Sequence, residues 1–261
     1  MSRRTLRGAR AIVTGASSGI GHALAVELAR AGARLVVTAR RADRLARLAE
    51  ALASLNAEVR TVVGDVTDPT TRQQLVDAAQ TAYGGLDVLV NNAGMGAFGL
   101  FEHADAQRLR RAMDVNFFAL AEMTRTALPL LKQGAKPIIV NISSVLGHRA
   151  VPRSLEYCAS KFAVQGLSEA LRVELMPLGI DVLVVCPGLT RTEFTANALA
   201  PANKPPWPDH PGVSAEYVAR RTVQAMRAGR REIMPFAWGR LLVWLNRVVP
   251  SLLDRYLARY A

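Results

Sequence analysis

Cysteine is nearly absent: Cys158 and Cys186 are the two in 261 residues. That excludes a disulfide framework, and their spacing matches no metal motif, so no metal is expected. Both fit a reducing compartment, and a cytoplasmic location is expected. Acidic residues are also scarce, 21 against 33 Lys and Arg, for a net charge of +12. The excess is mostly arginine scattered through helical segments, such as Arg40, Arg41, Arg44 and Arg47. No basic arm is interleaved with aromatic residues, which turns the reading away from nucleic acid. A solvated basic surface is the plain account; an anionic membrane or a phosphorylated small molecule would also answer it. No run of 18 apolar residues exists, so no membrane-spanning helix is expected. Arg3, Arg4 and Arg7 precede an apparent strand at Ala11, which leaves no room for a signal peptide.

Apolar residues, by contrast, are plentiful at 50% of the chain. That is ample for a packed core and argues against disorder. Short apolar runs at residues 11–14, 35–38, 59–63, 86–90, 137–142 and 181–186 alternate with helical patterns, and 232–235 reads as a seventh strand. Alternation of this kind, with no break in composition, predicts one α/β domain with a parallel sheet and helices on both faces.

Chemistry-bearing residues cluster where those runs end. After the first strand comes Gly15-Ala16-Ser17-Ser18-Gly19-Ile20-Gly21, then a helical pattern. Strand, glycine-rich turn and helix start make a phosphate site, although glycines can also be simple turns. The second strand ends at Arg40 and Arg41. An acidic residue there would bind a ribose 2′-hydroxyl, whereas arginine accommodates a 2′-phosphate, so these two favour NADP over NAD. They read alternatively as the start of an amphipathic helix over 42–55. Asp65 closes the third strand and suits either an adenine contact or a cap for the helix after Pro69. Asn91-Asn92-Ala93-Gly94 follows the fourth strand and suits a flat ligand or an ordinary turn. A helix is predicted from about 114 to 132, with Asn116 near its start; its side chain either has a local bonding job or lies at the surface, and taken alone the surface reading is the plainer. Ser143 and Ser144 end the fifth strand, on the ligand side of such a sheet.

Glu156-Tyr157-Cys158-Ala159-Ser160-Lys161 begins a further helix, which puts Tyr157 and Lys161 on one face. A phenol titrates near about 10 in water. An ammonium one turn away favours the phenolate and makes the pair a candidate general acid/base. Alone, the same spacing is ordinarily an amphipathic edge. Residues 193–212 hold five prolines and read as a loop covering a site.

These motifs together resemble the short-chain dehydrogenase/reductase superfamily, in its single-domain, NADP-preferring branch. The resemblance covers residues 7–235 and rests on Thr14 to Gly21, Asn91 to Gly94, Ser144 with Tyr157 and Lys161, and Pro187-Gly188. It implies a doubly wound Rossmann fold with a seven-stranded sheet, assembled as dimers or tetramers. It also implies that Tyr157 exchanges a proton with a carbonyl or alcohol oxygen. Lys161 would lower the Tyr157 pKa and bind the nicotinamide ribose. Ser144, thirteen residues before Tyr157, would hydrogen-bond the substrate oxygen, and Asn116 would hold a water leading from Lys161 to solvent. Gly15, Ser17, Ser18, Gly19 and Ile20 would contact the phosphates and adenosine, with Arg40 at the 2′-phosphate. Asp65 and Val66 would flank the adenine, and Asn92, Ala93 and Gly94 would lie along the ribose. Pro187, Gly188, Leu189, Thr190 and Thr192 would border the carboxamide and diphosphate. The implied activity is NADP(H)-dependent interconversion of a carbonyl and an alcohol. A non-catalytic NADP-binding sensor or membrane-surface protein is the alternative, against which the complete Asn116, Ser144, Tyr157, Lys161 set argues.

The oxidoreductase domain is expected over 1–235, with 236–261 as its amphipathic helical extension. Leu241, Leu242, Leu245, Val248, Val249, Leu252, Leu253, Tyr256 and Leu257 recur at helical steps there, and Pro250 divides the pattern into two helices. With Arg240, Arg247, Trp238 and Trp244, the tail reads either as docked on protein or as resting on a membrane surface. Residues 95–101, 146–155 and 193–212 are expected to line the substrate pocket. Phe98, Phe101, Phe194 and Trp207 among them suggest a lipophilic substrate.

Overall fold

Ile12 and Val13 are neighbours in sequence, both fully buried, and they belong to opposite halves of the core. Successive side chains of a strand point to opposite faces, so a strand apolar throughout requires cover on both sides. The computed structural model, which describes residues 4–199 and 212–261, shows that cover. The strands are β1 (Arg10–Thr14), β2 (Arg34–Ala39), β3 (Val59–Val63), β4 (Val88–Asn91), β5 (Ile138–Ile142), β6 (Asp181–Val185) and a short seventh, Glu232–Ile233. All are parallel, in the order β3-β2-β1-β4-β5-β6 followed by the seventh.

On one face, Val13, Leu35, Val90, Val140 and Leu183 pack against α1 (Gly19–Arg30), α2 (Ala42–Ala53) and α7 (Ala215–Arg227). On the other, Ile12, Val36, Leu89, Ile139 and Val182 pack against α3 (Pro69–Tyr83) and α5 (Ala119–Leu131). The sheet is the doubly wound Rossmann fold expected from the sequence. Its winding reverses between β1 and β4, and an open α/β sheet binds ligands at the carboxyl ends of the strands flanking that point.

Two local expectations change. The cap of α3 is Asp68, whose carboxylate accepts from the Thr70 amide at 3.0 Å. Asp65 instead closes its own turn, accepting from the Thr67 amide at 3.0 Å and the Thr67 hydroxyl at 2.9 Å. The helix placed over 114–132 starts earlier, as α4 (Ala106–Met113), and reaches α5 through one π-helical turn, Asp114–Phe118. A π turn widens the backbone ring and is concentrated at functional sites. Here it carries Asn116, which is fully buried and not a surface residue. Its amide donates to the Met95 carbonyl at 3.0 Å and the Ser160 hydroxyl at 2.9 Å, and its oxygen accepts from the Met95 amide at 2.8 Å.

The tail folds as α8 (Ala237–Val248) and α9 (Pro250–Leu257), divided at Pro250. It docks on its own chain. Leu253 and Leu257 pack with Val151 and Cys158, and Arg149 holds both helices, through Asn246 at 2.8 Å and through Asp254. Docking uses only part of the apolar surface: Trp244 and Val248 stay exposed. Among the described residues no helix is long and apolar enough to cross a membrane.

Candidate active site

A cavity of about 1270 Å³ opens at the carboxyl ends of β1 and β4. The glycine loop forms one wall. Gly15 has φ of 66°, and a Cβ there would sit 2.8 Å from the Ala93 Cα. A Cβ on Gly21 would run into the Gly15 carbonyl and the Asn92 amide. That amide donates to the carbonyls of Thr14 at 2.9 Å and Gly15 at 3.1 Å, so the turn after β4 is tied to the loop after β1. Ser18 precedes α1 in extended conformation, and its side chain caps nothing. The first amides of α1 are therefore left to an outside acceptor, at the positive end of the helix dipole. Narrow glycines beside free amides fit a dinucleotide diphosphate.

Farther along the same wall lie Ser17, Ser18, Gly19, Ile20, Arg40, Asp65 and Val66. The two arginines differ. Arg40 is largely exposed and lies 3.6 Å from Asp65. Arg41 folds over the glycine loop, donating to Ser17 Oγ at 3.1 Å and Ser18 Oγ at 2.7 Å. It also shares Glu193 with Arg44, at 3.1 and 2.5 Å. The sequence placed both arginines at this end; their unequal engagement is a property of the fold.

At the opposite end sit Ser144, Tyr157 and Lys161, lining one stretch of the cavity with Asn92, Ala93 and Gly94. Tyr157 and Lys161 project from α6 (Leu155–Glu174), and Ser144 follows β5. The Ser144 hydroxyl accepts from the Leu146 amide at 3.1 Å and donates to the Pro187 carbonyl at 3.5 Å. Ser143, by contrast, donates to the Lys161 carbonyl at 3.3 Å. Asn116 stands behind Met95 and Ser160 and does not line the cavity. Pro187, Gly188, Leu189, Thr190 and Thr192 complete the wall after β6.

The electrostatics depart from the expectation in one respect. Burial pushes the Tyr157 phenol above its ordinary value of 10; nearby Ser144 works against the rise, and the Cys158 and Cys186 thiols add to it. Burial lowers Lys161 from 10.5 to about 8, with Cys186 opposing. Lys161 Nζ lies 5.7 Å from the Tyr157 ring centroid and donates to the Ile142 carbonyl at 2.8 Å. In the protein alone, desolvation sets the direction of the phenol's shift. Between about 8 and 10.5 the unfolded chain binds more protons at Lys161 than the folded one, so the lysine's cost is full below 8 and fades toward 10.5. Lys161→Met is expected to be more stable than its parent at pH 7 by up to roughly 3 kcal/mol, the difference closing by pH 10.5. Urea midpoints across that range measure it, and a constant difference would contradict it.

Buried scaffolding holds Tyr157 in place. Neighbouring Glu156 is almost fully buried and receives Arg108, Nε at 2.7 Å and Nη2 at 2.6 Å. Arg108 also donates to the carbonyls of Phe98 and Leu100, pinning the segment after β4 to α6. Arg108→Ala strands a buried carboxylate and is expected to cost about 3–5 kcal/mol, read by denaturant unfolding.

The substrate end is apolar as expected: Met95, Phe98, Leu146, Val151 and Phe194 line it. Phe194 meets Tyr157 edge to face, centroids 5.4 Å apart. Phe101 instead lies 65% exposed in a neighbouring groove, and Trp207 falls outside the described residues. The sequence missed the opposite wall, made by Trp238, Leu241, Leu242, Leu245, Leu252 and Tyr256 of the tail. Its helical periodicity was visible, but nothing local says what such a face covers.

Three comparisons bear on this architecture. The pattern described as short chain dehydrogenase matches residues 9–203. The 11-beta-hydroxysteroid dehydrogenase-like 4A of Arabidopsis thaliana is 36% identical over 245 residues, covering 93% of this chain and 81% of that protein. A Burkholderia phymatum short chain dehydrogenase/reductase in complex with NAD superposes with a TM-score of 0.86 at 29% identity, covering 95% and 96% of the two chains. One from Burkholderia cenocepacia J2315, in complex with NADP, gives 0.79 at 30% identity, covering 88% and 97%. With the family pattern running from β1 past β6 and the same fold in both solved structures, the chain belongs to the short-chain dehydrogenase family of oxidoreductases.

Proposed function

We propose that this protein is an NADP(H)-dependent oxidoreductase that interconverts a lipophilic ketone or aldehyde and its alcohol. One observation carries the reading: Ser144, Tyr157 and Lys161 share one cavity with a glycine cradle that ends in two arginines. When bound, the nicotinamide supplies or accepts the hydride. The chain's own residues do the rest. A phenol kept protonated by burial is a proton donor at neutral pH, the form that reduction of a carbonyl needs. Ser144 donates toward the oxygen on which charge develops. Lys161 binds the ribose and, with a pKa of about 8, exchanges protons readily near neutrality. Asn116 fixes Met95 and Ser160 behind the site. Arg40 and Arg41 receive the 2′-phosphate.

Residues 236–261 form an extension of the oxidoreductase domain that walls its substrate pocket. Its outward apolar residues, with Arg240 and Arg247 on the same helix, suit peripheral contact with an anionic bilayer from the cytoplasmic side. Exposed Phe162 and Val173 on α6 suit assembly into a homodimer or homotetramer. The test is NADPH consumption over a panel of carbonyls graded in apolar size. Turnover is expected to rise with apolar size, and protein saturated with NADPH that reduces nothing in the panel would return the reading to a cofactor-binding sensor.

A further inference from the structure

His148, Cys186 and Glu232 have no role in the hydride chemistry, yet the fold brings them together. His148 lies in the turn after β5, Cys186 just beyond β6, and Glu232 on the seventh strand. His148 Nε2 is 3.6 Å from Cys186 Sγ and 3.4 Å from Glu232 Oε2, and the three atoms lie within 4.8 Å of one another. Gln165, on α6 one turn past Lys161, closes the group. Its amide nitrogen is 2.7 Å from His148 Nε2 and 3.1 Å from Glu232 Oε2, and its oxygen is 3.8 Å from Cys186 Sγ. Cys186 is fully buried, Gln165 nearly so, and His148 and Glu232 reach partly to solvent.

We propose that His148, Cys186 and Glu232 form a zinc-binding site. Tetrahedral zinc holds imidazole and carboxylate ligands at about 2.0–2.2 Å and thiolate at about 2.3 Å, which sets ligand-to-ligand edges of roughly 3.3–3.6 Å. The two measured edges at His148 fall at those lengths. Thiolate, imidazole and carboxylate together suit zinc, whereas calcium and magnesium take oxygen ligands. A half-turn of the Gln165 amide presents its oxygen to the centre as a fourth donor.

The two groups that oppose the ion are also evident. Burial and the neighbouring Glu232 carboxylate hold the Cys186 proton on, and Lys161 is the cation nearest in effect to the thiol. Arg172 acts on Glu232. Loading therefore releases the Cys186 proton to solvent, and the bound dication replaces it as partner of the thiolate. Without the ion the same atoms satisfy one another by hydrogen bonds, so the metal-free protein keeps its fold. The 38-position separation of His148 and Cys186 hides the set from any motif. An ion there joins the turn after β5, the end of β6, the last strand and α6, immediately behind the Lys161 end of the cavity.

The experiment uses the untagged full chain stripped of metal and titrated with cobalt(II), then with zinc. One cobalt per chain is expected, with a near-ultraviolet thiolate-to-cobalt charge-transfer band that zinc displaces, and zinc should raise the melting temperature by mass action. Cys186→Ser should lose the band, and Cys158→Ser should keep it. Losing a second-shell partner alone costs about 10–100-fold in metal affinity, so His148→Ala, which removes a ligand, should cost at least about 100-fold. Should Cys186→Ser fail to fold, as judged by circular dichroism, the His148→Ala titration decides. A parent protein with no thiolate band at millimolar cobalt, a band unchanged in Cys186→Ser, or unchanged affinity in His148→Ala would each overturn the proposal.

Discussion

Tyr157→Phe is expected to lower turnover by about 10²–10⁴-fold, the usual contribution of a positioned general acid. The substitution removes one oxygen from a ring that is 8% exposed and packed edge to face on Phe194. Shape and aromatic contact are kept, so NADPH affinity and melting temperature should stay close to those of the parent. What disappears is the proposed proton donor, which shares the cavity wall with Ser144. Ser144→Ala should resemble it, because the two hydroxyls act on one oxygen, and the double variant should fall far short of the summed losses. Single-turnover reduction at saturating NADPH separates chemistry from product release. Turnover of Tyr157→Phe within tenfold of the parent would take the phenol out of the mechanism.

Arg41→Ala is expected to weaken NADPH about 10–100-fold and to leave NADH binding nearly unchanged. A hydrogen bond to a charged group contributes about 1.5–3 kcal/mol, and a 2′-phosphate is the part of the cofactor that NADH lacks. Arg41 is already folded over the glycine loop, on Ser17 and Ser18, so little ordering remains when an anion arrives. Arg40 is largely exposed, and its nearest acid, Asp65, is 3.6 Å away. Exposed ion pairs contribute about 0–1 kcal/mol, so Arg40→Ala should cost less than Arg41→Ala. The double variant should bind NADPH no better than NADH. Fluorescence titration of both cofactors against the three variants measures this, and a parent that prefers NADH would remove the arginine argument altogether.

The parts of the site readable from the chain are those where chemistry and geometry are both local. Gly15, Gly19 and Gly21 are close in sequence and act on one turn. Tyr157 and Lys161 are one helical turn apart whatever the helix packs against. The lysine's effect on the phenol was not readable in the same way. Spacing shows that an ammonium is near, but the competing desolvation depends on how deeply α6 is buried, which the surrounding fold sets. Asn116 misled for a related reason. Helix propensity disfavours Asn inside an ordinary helix, and only the π turn and its partners Met95 and Ser160 show why it is there.

The order of apolar runs and glycine turns was by itself enough to determine a parallel α/β sheet covered on both faces, a glycine turn after its first strand, and Tyr157 with Lys161 on one helical face. Each follows from residues a few positions apart or from a period repeated along the chain. Contacts between distant residues were decided by the tertiary structure alone: Arg41 over Ser17 and Ser18, Arg108 on Glu156, the tail as a pocket wall, and His148 beside Cys186 and Glu232. Such pairs are set by the packing of whole elements on both faces of the sheet. No local pattern encodes which side chains that packing brings face to face.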